Sequence, residues 1–86
     1  MSRTTTLARA ILDRLRLCKP YALPEAQLAT EVNGVVRPPA KAGEFAAAVK
    51  ALNTADVPRI VLLRDEFDPE ARKWLITEAG EAALLR

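Results

Sequence analysis

Apolar residues recur along the first part of the chain at helical spacing: Leu7, Ala8, Ile11, Leu15 and Cys18 share one face and predict an amphipathic helix over residues 4–18. Leu12 and Leu17 flank that face and widen its apolar arc, while Arg9, Asp13 and Arg16 lie opposite. Asp13 is four residues from Arg9 and three from Arg16, within pairing reach of either. Lys19-Pro20 stops the helix, because a residue before proline avoids the α region. Tyr21-Ala22-Leu23 reads as a short extended link, and Pro24 suits the first turn of a second helix over 24–32, with Leu28 and Val32 inward and Asn33-Gly34 closing it. The same stretch, "TEVNGVVR", also fits two strands around an Asn-Gly turn. The opening Pro24-Glu25-Ala26-Gln27 favours the helix. After a proline-stiffened linker, residues 40–53 form an alanine-rich helix with Ala42, Phe45, Val49 and Leu52 on one stripe. The period then changes. Residues 59–64 and 72–76 read as two strands around a polar loop, and Thr77 is placed to cap a last short helix, with Glu78 in its first turn.

The junction "KWLITEAG" carries the most specific pattern in the chain. Trp74, Ile76, Thr77 and Gly80 match, in register, an aromatic-x-Leu/Ile-Thr-x-x-Gly run. With the order helix, link, helix, helix, strand, loop, strand, helix, it resembles a winged helix-turn-helix domain. The resemblance extends over residues 4–86, but only residues 74–84 carry a recognisable motif. It implies an α+β, mainly α, fold in a single domain over residues 1–86: a three-helix core, a wing of two or three strands and a short C-terminal helix. It further implies that residues 40–53 are a recognition helix, that 65–71 are the wing tip, and that DNA is the partner. Thr77 as a cap, Gly80 as a point of close helix–strand approach, and Trp74 as a core residue follow from the physical reading of the same residues.

The residues themselves qualify the DNA expectation. The cations placed for phosphate contact are Arg37, Lys41, Lys50, Arg72 and Lys73. With Phe45 at the core, the outward face of the third helix holds Ala40, Gly43, Ala47, Lys50 and Ala51, and only Lys50 offers a donor to a base edge. The loop between the strands carries Asp65, Glu66, Asp68 and Glu70, which a phosphate backbone repels. Phe67 among them either folds back on the sheet, the favoured placement, or stands out as a contact aromatic. The alternative is therefore a protein-interaction or dimerisation module that uses Leu12, Leu17, Gly43, Ala47, Ala51 and Phe67.

Composition removes other classes. The 86 residues include no histidine and one cysteine, so the commonest general base and metal ligand are missing and no internal disulfide forms. Cys18 lies on the core stripe and reads as a small buried hydrophobe. The three glycines are isolated, so no phosphate loop exists, and the acidic cluster lacks the spacing of a calcium loop. No catalytic residue, metal, cofactor or small-molecule ligand is indicated, and a chain this small has little room for a deep pocket. Apolar runs are too short to span a bilayer, which makes a cytoplasmic, membrane-free protein the expectation. Net charge is +2, unevenly spread: residues 1–20 carry five basic groups against one acid, residues 21–53 balance three against three, and residues 54–86 carry five basic groups against seven acids.

Overall fold

The computed structural model describes residues 3–64, 66–68 and 70–85. Four helices, α1 (Arg3–Cys18), α2 (Glu25–Val35), α3 (Ala42–Asn53) and α4 (Glu78–Leu84), combine with three strands, β1 (Leu23–Pro24), β2 (Ile60–Arg64) and β3 (Arg72–Ile76), in a mainly helical α+β domain. The sheet is antiparallel with β3 in the middle, ordered β1-β3-β2.

The width of the apolar arc on α1 has a cause: this helix packs against α2, α3 and α4 as well as β3. Leu7, Ile11, Leu12 and Leu15 are all buried. Burying a leucine contributes about 1.5–3 kcal/mol, so these four positions account for a large part of what holds the helices together. Cys18 is only half-buried, at the edge of the core. Arg14 ties α1 to α2 through Glu31, Arg3 reaches Glu44 of α3, and Lys19 reaches Glu81 of α4.

Two local expectations give way to tertiary packing. Asn33-Gly34 does not close α2, nor does it form a hairpin. The helix runs through both residues to Val35, and none of the described glycines has a positive φ. Val32 and Val36 are both buried, and one more helical turn is what brings Val36 to the core. The Asn33 side chain then accepts the backbone N–H of Ala40 at 2.9 Å, holding the linker against α2. On α3 the buried stripe is Phe45, Ala48, Val49 and Leu52, whereas Ala42, expected inward, is exposed in the first turn.

The hairpin delivers its faces by parity. Arg72, Trp74 and Ile76 stand opposite Arg64, Leu62 and Ile60 on the core side, and Lys73 and Leu75 stand opposite Leu63 and Val61 on the outer side. Trp74 is 2% exposed.

The junction to α4 is held at one place. Thr77 donates its backbone N–H to the Arg59 carbonyl at 3.1 Å. Its hydroxyl donates to the Pro58 carbonyl at 2.6 Å and accepts the Gly80 N–H at 3.2 Å. Gly80 is buried against the same carbonyl: a Cβ there would lie 2.3 Å from the Arg59 oxygen, 2.7 Å from Ile76 Cγ1 and 3.1 Å from Leu12 Cδ2. Among the described residues no helix is long and apolar enough to cross a membrane.

Gly80→Ala therefore forces a methyl into backbone. The expected cost is about 3 kcal/mol, the upper part of the overpacking range, seen as a fall in Tm of roughly 10 °C or more by calorimetry. An unchanged Tm would mean that α4 does not seat on Arg59 as described.

Candidate binding groove

An open groove with a volume of about 680 Å³ runs between α2 and α3 and is closed at one side by β3. Phe45, Val49 and Trp74 form its floor, and small residues, among them Ala26, Ala29 and Ala46, keep its walls apart.

One carboxylate organises the β3 side. Glu25, in the first turn of α2, accepts the Trp74 indole N–H on Oε1 at 3.0 Å. Arg72 Nε lies 3.5 Å from the same oxygen, and its guanidinium carbon is 5.6 Å from the centre of the Trp74 ring. A buried tryptophan needs an acceptor for its N–H, and Glu25 supplies it. The half-exposed Arg72 balances that charge and covers the ring. Sequence reading gave Glu25 no role beyond opening a helix. The only available signal was that a core Trp74 must find an acceptor, and that signal does not say which.

The expected phosphate-binding cations are not gathered in one place. Lys50 and Arg72 line the groove together. Lys41, exposed at the start of α3, shares a second depression with Arg3 and Glu44. Arg37 lines a third with Arg9 and Asp13, and its guanidinium donates to the Asn33 carbonyl at 3.0 Å. Lys73 neighbours Arg72 in sequence but projects from the opposite face of the sheet.

The residues proposed for protein contact also divide. Gly43, Ala47 and Ala51 are exposed on the outer face of α3, and Leu17 is 67% exposed. Leu12 is a correction: it is 3% exposed, because α4 closes over it at Gly80. Leu12 and Leu17 flank the same arc, and only the long-range packing of α4 separates them. Phe67 does not fold back on the sheet but stands 94% exposed. Asp65, the first acid of this loop, lies outside the described residues. Among the described residues no group of three or more acidic or cysteine side chains is arranged to hold a metal ion.

Near Lys41, Glu44 accepts the Lys41 backbone N–H at 3.1 Å and the Arg3 Nε–H at 3.2 Å. The Lys41 N–H, helped by the Arg3 guanidinium, holds the Glu44 carboxyl below the usual carboxylate range against a smaller opposing effect of desolvation. Comparison of the chain with protein-family models, with curated proteins and with solved structures found no match.

A carboxyl with a depressed folded pKa stabilises the fold above its unfolded value, about 4.3 for Glu, and that contribution is lost as pH falls through the folded value. Glu44→Gln should lower Tm slightly at neutral pH and flatten its decline below about pH 4.3. Thermal unfolding from pH 7 to pH 3 measures this, and parallel curves for the two proteins would remove Glu44 from the acid response.

Proposed function

We propose that this chain is a non-enzymatic winged-helix module that binds DNA mainly through phosphate contacts, with weak direct reading of base sequence. In this reading α3 is the helix presented to the groove of the duplex and the β2–β3 hairpin is the wing. One observation carries it: Lys50 from α3 and Arg72 from β3 line the same groove. A cation on the helix and a cation at the hairpin base thus face a common partner, as a phosphate backbone crossing both elements requires.

The weakness of readout follows from what α3 exposes. Gly43, Ala47 and Ala51 let a duplex approach closely but donate nothing to base edges, which leaves Lys50 as the single donor on that face. Glu25 beside Arg72 also offsets part of its charge. Few phosphate contacts imply modest affinity and a shallow salt dependence.

A protein-interaction role is the second reading, and the full exposure of Phe67 favours it. The acids around that ring place the hairpin tip away from the duplex in either case.

The test is fluorescence anisotropy with a labelled random-sequence duplex at several salt concentrations. Lys41→Ala with Lys50→Ala should weaken binding to all sequences alike and reduce the salt slope by about one per lost phosphate contact. Unchanged affinity in the double variant would exclude α3 from the DNA site, and no binding by the unmodified chain at low salt would exclude the reading itself.

A further inference from the structure

We propose that the groove between α2 and α3 receives the hairpin tip of a second copy of this chain, with Phe67 entering between the helices and the tip acids facing Lys50 and Arg72. The inference goes beyond the DNA reading and does not depend on it.

The groove's own chemistry defines what it lacks. Its other polar lining residues each have an internal partner. Glu25 is taken by Trp74 and Arg72, the Asn33 side chain by the Ala40 N–H, and the Asn53 amide donates to the Ile60 carbonyl at 3.0 Å. Lys50 differs: no ion pair or side-chain hydrogen bond engages its ammonium among the described residues. What the groove offers a partner is a small apolar surface of alanines over the buried Phe45, Val49 and Trp74, with Lys50 and the half-exposed Arg72 beside it, so the complementary occupant is an apolar group with carboxylates beside it. The volume of about 680 Å³ is more than one aromatic ring fills, leaving room for the backbone of a turn.

The chain carries such an occupant. Phe67 is the most exposed of the described large hydrophobic side chains. Glu66 and Asp68 flank it and Glu70 follows, all exposed. The Asp68 carboxylate accepts the Glu70 N–H at 3.2 Å and the Asp68 carbonyl accepts the Ala71 N–H at 3.0 Å, which presents the ring on a turned segment. At 94% exposure the ring is not in its own molecule's groove, so the donor of the tip is a neighbour. Knob and hole lie on different parts of the surface. The contact therefore closes as a two-fold pair if both tips engage at once, and otherwise extends as a chain of copies. The contact patch is small and its charges are exposed, which places the association in the weak, salt-sensitive range.

Sedimentation equilibrium of the full chain at low salt tests this, with two variants that each remove one half of the contact. Phe67→Ala removes the knob. Ala46→Trp, at an exposed position on the groove wall, fills the hole. The unmodified chain should associate with rising concentration and dissociate with added salt. Each variant alone should associate at least about tenfold more weakly, and an equimolar mixture of the two should recover a mixed complex, since one partner keeps the tip and the other the groove. Lys50→Glu replaces Ala46→Trp if circular dichroism shows the latter unfolded. A chain that stays monomeric at millimolar concentration, Phe67→Ala that associates like the unmodified chain, or a mixture that recovers nothing would each overturn the proposal.

Discussion

The structure depends on where the Trp74 side chain goes. It occupies the centre of the middle strand, so both neighbours find their register against it, Leu23 on one side and Leu62 on the other. Its ring fills the core beneath the helices, and its one polar atom must be satisfied at the core's edge. Replacing such a buried ring by alanine costs about 3–5 kcal/mol, a large share of what a domain of this size has to lose. The need to satisfy the indole N–H brings the first turn of α2 to the sheet through Glu25, and Arg72 lies 3.5 Å from the same carboxylate oxygen. The floor and one rim of the groove are thus by-products of burying a single tryptophan.

This coupling bears on how function is distributed over the surface. Arg72 covers the indole and balances Glu25, so only part of its charge is left for the partners proposed above. Among the described residues Lys50 carries no such internal duty, which makes it the more informative cation of the two. A duplex and an acidic hairpin tip would draw on the same charges of Lys50 and Arg72, so occupancy by one would oppose the other.

Most of the architecture was readable where the relevant interactions are local or periodic. The spacing of Leu7, Ile11 and Leu15, the change of period at Arg59, and the Thr77–Gly80 junction locate α1, the hairpin and α4 closely. The failures fall where a distant element decides. Asn33-Gly34 has strong turn propensity, yet burial of Val36 outweighs it. Leu12 and Leu17 are equivalent on a helical projection, and α4, about 70 residues away in sequence, buries one and not the other. The groove was not foreseen because its parts are alanines, valued in sequence as helix formers, and because Glu25 acquires its role only when Trp74 arrives 49 residues later.

The close approach at Gly80 has a genetic consequence. Of the three atoms that a Cβ at this position would strike, two belong to side chains that a second mutation can shorten, Ile76 and Leu12. The third and nearest is the carbonyl oxygen of Arg59, which every amino acid carries, and that oxygen already anchors Thr77. Intragenic suppressors of a Gly80 lesion can therefore relieve only the lesser part of the conflict. Selection for restored folding should return true revertants far more often than compensating changes elsewhere in the chain.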